Sequence, residues 1–252
     1  MENGRNPFYC ENAAEVFLEK DSVDLFIGHP PYFQAELEGN GGDSTKQMQN
    51  VEKIEEYFYR LLASVKHMEH ALKPDGHIFI ALPNAHSGLG VLSKISNHTS
   101  LVLETIRMWD YSSQFDNVGN HTALFAHFSK GMWNPDLGPQ GPFVLTNRWD
   151  ESIAEIAGYE ANAYAGVAPK GIYNEIITNY SKPGDVVCDL FAGAGTVCLV
   201  AMELGRRFIY NDVSEDRLPM AKKRIDDAYK VLMAKESFAL DMPEKVDKPL
   251  NL

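Results

Sequence analysis

Short apolar runs alternate along the chain with longer stretches whose apolar positions recur every three or four residues. These are the two periods that separate buried strands from amphipathic helices. Val23–Ile27 (VDLFI) is a β-rich run that stops at Gly28-His29-Pro30-Pro31, where two prolines end any ladder, so it predicts a strand followed by a rigid loop. From Glu52 to Leu72 the apolar positions Ile54, Phe58, Leu61, Leu62, Val65, Met68 and Leu72 predict a helix, closed by Lys73-Pro74-Asp75-Gly76. His77–Leu82 reads as the next strand, and further strand signals cover Leu101–Met108 and His121–Phe128. Gly131–Pro142, rich in Gly, Pro and Asn, reads as loop. A helix over Gly171–Tyr180, a strand over Val186–Leu190, a helix over Thr196–Leu204, a strand over Arg207–Tyr210 and a helix over Glu215–Ala234 complete the pattern. No internal repeat is visible, and strands alternating with helices predict an α/β fold, a doubly wound and mainly parallel sheet covered on both faces.

Composition narrows the class without changing the fold. With 252 residues, 44% of them hydrophobic and 23% charged, the chain is ordinary globular material. Neither a long apolar span nor a basic start followed by an apolar run is present, so no membrane partner is expected and a cytoplasmic protein is the expectation. Three cysteines, Cys10, Cys188 and Cys198, have no metal-ligand spacing, so neither a disulfide scaffold nor a metal site is expected. The net charge of −12 works against non-specific attraction to nucleic acid, and such a partner would need a local basic surface.

The candidate chemistry lies in two loops. Gly193-Ala194-Gly195 follows a strand and opens a helix, and the next strand ends at Asp212, about 20 positions on, the separation expected of an acid that reaches ribose hydroxyls. Glycine lets the backbone turn tightly beside a ligand, and a helix N-terminus favours a carboxylate or phosphate. Asp189, at the end of its strand, suits either the loop's own amides or a ligand ammonium. No Gly-Lys-Ser/Thr follows, which argues against a P-loop. Too few residues follow Gly184 to build a doubly wound domain, so the remaining strands come from upstream and the nucleoside-binding half is C-terminal.

The second loop, Gly28-His29-Pro30-Pro31-Tyr32-Phe33, also follows a buried strand and is expected at the carboxyl edge of the sheet, where open α/β folds bind ligands. Its prolines fix the backbone and leave carbonyls without competing donors, while Tyr32 and Phe33 offer π-faces to a base.

Together these segments resemble the amino-group DNA methyltransferases, which use S-adenosylmethionine to methylate adenine N6 or cytosine N4. The resemblance is to their permuted β group, in which the catalytic loop precedes the cofactor loop. Val23–Phe33 is similar to the catalytic segment, usually Asp-Pro-Pro-Tyr or Ser-Pro-Pro-Tyr; Ala71–Gly76 with the following strand and His121–Gly131 resemble the next elements. Ala168–Thr196 resembles the cofactor region, with Phe191, Gly193 and Gly195 matching Phe-x-Gly-x-Gly and Leu190 in place of the usual Pro, and Arg206–Arg224 resembles its continuation. Tyr9–Phe17 is similar to the segment whose acid contacts the cofactor adenine, with Asn12 at that position and Glu11 as the alternative.

The resemblance implies a Rossmann-like methyltransferase fold with permuted motif order, in a bacterial or phage-infected cell. It implies one domain over residues 1–252: a catalytic half to about residue 131, a short recognition region over about 132–167, a cofactor half over about 168–238 and a flexible tail. S-adenosylmethionine would lie on Asn12, Asp189, Phe191, Gly193, Gly195, Thr196 and Asp212. A base flipped out of DNA would meet His29, Pro30 and Pro31, with Tyr32 and Phe33 as its binding surface. His29 replaces the usual Asp or Ser; a neutral imidazole accepts an amino hydrogen and a protonated one does not, so with an ordinary pKa of about 6.5 activity is expected to fall at acid pH. Residues 132–167 are few for a target-reading insert and their acidic residues outnumber Arg148, which implies loose or short-sequence specificity and makes a homodimer plausible; Lys46, Lys53 and Arg60 are candidate phosphate contacts. Adenine is slightly favoured over cytosine, and restriction-modification is the expected setting. The readings left open are an inactive cofactor-binding paralogue, a methyltransferase for RNA or a protein amide, and a nicotinamide oxidoreductase, which leaves the Pro-Pro-Tyr loop unexplained.

Overall fold

The computed structural model describes residues 6–33, 48, 50–83, 86–110, 122–131 and 170–240; Lys46, the stretch 132–167 and the tail from Asp241 lie outside them. The described strands are β1 (Phe8–Tyr9), β2 (Val23–Gly28), β3 (Leu72–Pro83), β4 (Val102–Asp110), β5 (Thr122–Ser129), β6 (Val186–Asp189) and β7 (Arg207–Asn211). The helices are α1 (Ile54–Ala71), α2 (His86–His98), α3 (Lys170–Tyr180), α4 (Thr196–Glu203) and α5 (Arg217–Leu240). These strands form one sheet in the order β1-β7-β6-β2-β3-β5-β4. All neighbours are parallel except β5, which runs antiparallel to both β3 and β4.

β2 reads as a continuous apolar run because it is buried on both sides. Its Phe26 faces α1 and α2 with Ile78, Ile80, Phe128 and Cys188, against Phe58, Leu61, Met68 and Ile95. Its Leu25 and Ile27 face the opposite layer with Phe79, Val187 and Phe208, against Ile172, Ile176 and Ile225 of α3 and α5. The result is the three-layer α/β arrangement expected from the alternation of elements. No helix among the described residues is long and apolar enough to cross a membrane.

Three local features differ from the sequence expectation. Lys73-Pro74-Asp75-Gly76 is a bulge inside β3 rather than a turn before it: Val23 pairs with Leu72, and the next pair is Leu25 with His77. Pro74 has no N–H to give the ladder, and Lys73 Nζ reaches Asp24 Oδ1 at 2.6 Å. Asp24 Oδ2 accepts the Val186 N–H at 2.8 Å, which fastens the bulge to β6. Helix α2 was not expected because Gly88 and Gly90 depress its propensity. A Cβ at Gly88 would collide with the Pro83 carbonyl, and one at Gly90 with the Phe58 ring, so close packing demands both glycines. The two-residue strand β1 is too short for any period to reveal.

β1 and the segment after it are held to the sheet by Asn211, fully buried at the end of β7. Asn211 Oδ1 accepts the Glu11 N–H at 3.1 Å, and Nδ2 donates to the carbonyls of Glu11 at 3.0 Å and Leu190 at 3.1 Å. At the other end of the sheet, His77 of β3 and His127 of β5 share a hydrogen bond of 3.0 Å between Nδ1 and Nε2, with His127 stacked on Phe79 at 4.3 Å and Tyr180 packed edgewise against all three. Burial pushes His77 down to about 4 and His127 down to about 3, helped for His127 by the neighbouring His77 and Arg107.

Two outcomes follow from these contacts. The unfolded chain binds protons at these histidines below pH ~6.5 that the native state refuses, so their stabilising contribution is complete above that pH and is lost progressively towards pH ~4. The melting temperature is expected to fall over that window, and the double substitution His77→Phe/His127→Phe to make the fall shallower; an unchanged slope would contradict this. Asn211→Ala removes three hydrogen bonds, one of them fully buried, and is expected to cost about 2–4 kcal/mol in urea denaturation, while a loss below ~0.5 kcal/mol would show that the N-terminal segment is held by other contacts.

Candidate active site

The strand order sets the location of the site. After β6 the chain crosses through α4 to β7 on one side, and after β2 it crosses through α1 to β3 on the other. The carboxyl ends of the adjacent strands β2 and β6 therefore flank the point where the winding reverses, the crevice where open α/β sheets bind ligands. Both loops singled out in the sequence leave from these two ends. They touch: a Cβ on Gly28 would lie 3.1 Å from the Phe191 ring.

The loop after β6 is held by its neighbours at nearly every residue. Asp189 Oδ1 accepts the Phe191 N–H at 2.9 Å. The Ala192 N–H goes to the Asn211 carbonyl, and the Gly193 carbonyl accepts the Tyr210 hydroxyl, each at 2.9 Å. Asp212 Oδ2 accepts the Gly193 N–H at 2.7 Å and Oδ1 the Ser214 N–H at 2.9 Å. Gly193 and Gly195 have φ of +48° and +74°, and a Cβ on Gly195 would press on Ile225 and Ala221 at 3.2 and 3.3 Å, so this left-handed turn under α5 admits glycine alone. Arg224, buried on α5, donates to the Ala194 carbonyl at 3.1 Å and to the Thr196 hydroxyl at 2.8 Å, which turns Thr196 towards the fold. No side chain caps Gly195 at the start of α4, so the first amides of that helix face an approaching anion.

Burial pushes both acids in this half of the site towards their protonated forms. Burial raises Asp212, while the two backbone donors and Arg217 pull it back. Arg217 lies over the loop, with Nη1 3.1 Å from where a Gly193 Cβ would stand. Burial and the nearby Asp212 push Asp189 up to about 8, against the pull of the Phe191 N–H. A carboxylate-accepting helix start, a hydroxyl-accepting acid at the end of β7 and a buried acid fit a cofactor that carries a carboxylate, a ribose and cationic groups. Among the described residues, no group of three or more potential ligands gathers for a metal.

In the loop after β2, Pro30 is buried and His29, Pro31, Tyr32 and Phe33 are partly exposed. His29 Nε2 and the Tyr32 hydroxyl share a hydrogen bond of 3.0 Å whose donor depends on the imidazole tautomer. Although the residue is only half-buried overall, its Nδ1 makes no contact with solvent, and burial pushes His29 down to about 4. The neutral, hydrogen-accepting form therefore persists well below neutrality, which moves the expected acid loss down from pH 6.5. Phe33 turns inward, its ring 5.8 Å from that of Tyr57 on α1, whereas Tyr32 stays beside His29.

The N-terminal segment arrives beside Asp212 because β1 pairs with β7 in parallel. Asn12 Oδ1 accepts the Ala14 N–H at 3.0 Å and shapes the turn that follows, and the Glu11 backbone is fixed by Asn211. The candidates of both loops thus meet at one sheet edge. Arg60, by contrast, is paired with Glu56 at 2.7 Å on α1, and Lys53 stands at that helix's N-cap position. Contributors that escaped the sequence reading are Asn211, Tyr210, Arg217, Arg224 and Tyr173, the last buried on α3 where Asp189 and Tyr32 both act on its phenol.

A family model described as DNA methylase, of the N6 and N4 type, matches residues 23–223. The type II methyltransferase M.HinfI of Haemophilus influenzae is 39% identical over 243 residues, 83% of this chain and 67% of that protein. The DNA adenine methyltransferase YhdJ of Escherichia coli K12 is 33% identical over 85 residues, 34% of this chain and 29% of that protein. Among solved structures, the cytosine-N4-specific PvuII DNA methyltransferase aligns with a TM-score of 0.67 at 19% identity, covering 92% of this chain and 93% of that one. With the match spanning β2 to β7 and both loops, the chain belongs to the N6/N4 DNA methylase family.

Proposed function

We propose that the chain methylates adenine at N6 in DNA, using S-adenosylmethionine, at the crevice between its two loops. The observation that carries this reading is the pairing of β2 with β6, whose following segments, His29–Tyr32 and Gly193–Gly195, leave from one switch point with Phe191 close to Gly28. The preference for adenine rests on the partial likeness to an adenine methyltransferase at 33% identity, set against 19% to a cytosine-N4 enzyme over nearly the whole chain. The site acts in the cytoplasm of a bacterial cell, within a restriction-modification setting, and pairing of two copies would double a recognition region as short as residues 132–167.

S-adenosylmethionine supplies a methyl group activated by its sulfonium. Gly193, Gly195 and the start of α4 would cradle the cofactor, Asp212 would meet its ribose, Phe191 and Thr196 would hold the loop around it, and Asn12 would stand by its adenine. Tyr32 stacks on the extruded base and holds it in the pocket. An exocyclic amine is a poor nucleophile because its lone pair is delocalised into the ring. His29, kept neutral by burial, and the Pro30 carbonyl accept its hydrogens and turn the lone pair towards the methyl carbon. Pro31 fixes the backbone that aims both acceptors. Tyr32 also steadies the orientation of the imidazole through the 3.0 Å bond to Nε2.

Nucleosides from the DNA of a methylation-free host that expresses the chain are expected to contain N6-methyladenine by mass spectrometry. His29→Ala is expected to lower that signal by about 10²–10³-fold, as for loss of one preorganised polar group. N4-methylcytosine in its place would reassign the base, and absence of both would contradict the function.

A further inference from the structure

Accepting an amino hydrogen requires of His29 a lone pair that a base can reach, and the 3.0 Å bond between His29 Nε2 and the Tyr32 hydroxyl engages the reachable nitrogen. The conflict holds in both tautomers, because a neutral imidazole carries one proton and one ring lone pair. With the proton on Nδ1, the Nε2 lone pair is filled by the Tyr32 O–H. With the proton on Nε2, that nitrogen donates to the Tyr32 oxygen, and the lone pair lies on Nδ1, which makes no contact with solvent. In neither form does His29 take a hydrogen from a base while the bond is made. A carboxylate at this position could serve a tyrosine and an amine together, since it has several lone pairs. The single lone pair of the imidazole makes an exchange of partners obligatory.

The loop is built so that the Tyr32 side chain can turn while its neighbours stay in place. Pro30 and Pro31 fix the backbone on one side, and on the other Phe33 packs into the core beside Tyr57, with ring centroids 5.8 Å apart. Tyr32 between them is partly exposed, and its ring meets that of His29 at a tilt of 47° with centroids 5.4 Å apart, so the imidazole does not lie flat on the ring a base would use. We propose that the Tyr32 hydroxyl is a positioning group: it holds the His29 acceptor out of use and yields it when a base stacks on the Tyr32 ring, so that capture of the base and presentation of the acceptor are one event. This rests on the methyltransferase reading of the site. The amine N–H replaces the Tyr32 O–H on the imidazole, one donor for another, so the half-buried ring is not left with an unfilled lone pair.

The test compares the full chain with Tyr32→Phe, which keeps the ring for stacking and removes the hydroxyl. Diethyl pyrocarbonate acylates an imidazole through its accessible lone pair, and peptide mass spectrometry reads the rate at His29, with the exposed His98 as internal reference. In the protein alone, His29 of Tyr32→Phe is expected to be labelled about three- to tenfold faster than in the parent, the factor of one neutral hydrogen bond, with His98 labelled equally in both. A duplex with an unpaired adenine, added with the cofactor analogue sinefungin, is expected to bind Tyr32→Phe more tightly by a similar factor, because no hydroxyl competes for the imidazole. Tyr32→Leu, which lacks both ring and hydroxyl, is expected to show the faster labelling but weaker binding of the duplex. Equal labelling of His29 in parent and Tyr32→Phe, or duplex binding by Tyr32→Phe no tighter than by the parent, overturns the role of the hydroxyl while leaving the function standing. Failure of all three proteins to bind the duplex overturns the methyltransferase reading and this proposal with it.

Discussion

Two parallel strands, β2 and β6, lie side by side at the centre of the sheet, paired through Leu25 with Val187 and Phe26 with Cys188, and the rest of the molecule is arranged around that pair. Because the chain winds outward from them in opposite directions, neither crossover helix covers the space above their carboxyl ends. The loop that follows each strand is forced to the same edge, although they lie about 160 residues apart in the chain. The permuted order of segments therefore has little bearing on the site. Neighbouring strands determine which residues meet, whichever is made first.

The same burial that builds the core also sets the protonation of the polar groups in the crevice. His29 is kept neutral, so an imidazole can stand where the family usually has a carboxylate or hydroxyl and still accept a hydrogen. Asp189 is pushed the other way, towards its protonated form, by the shielding that surrounds it. One environment thus favours the uncharged form of both groups, a neutral imidazole on one side and a protonated carboxyl on the other. The mutual placement of the two follows from the pairing of β2 with β6, and the absence of a side chain at Gly28 leaves room for the Phe191 ring beside it.

Much of this was legible in the sequence, and the exceptions have physical causes. The central strands announce themselves because burial on both faces demands continuous apolar runs, as in Val23–Ile27 and Val186–Leu190. The two loops are visible because glycine and proline act through their own backbones, so their effect is local. Helix α2 was hidden by Gly88 and Gly90, whose unfavourable propensity is overridden by close contact with Pro83 and Phe58. In the site, Asn211, Arg224 and Tyr173 left no signal because each acts on groups far away in the chain, as Asn211 does on Glu11 across 200 positions. Spacing reveals residues that work through their own element and conceals those that work across the fold.

The central claim is that the two loops form a single site in which cofactor and base meet. It is tested most directly by a crystal structure of the protein with sinefungin, a non-reactive analogue of the cofactor, and a DNA duplex bearing an extruded adenine. The account predicts the ribose at Asp212, the amino-acid end at Gly193–Thr196, and the adenine stacked on Tyr32 with its amino group within hydrogen-bonding distance of His29. A base held away from the His29–Tyr32 loop, or an analogue bound away from Gly193–Gly195, would contradict it.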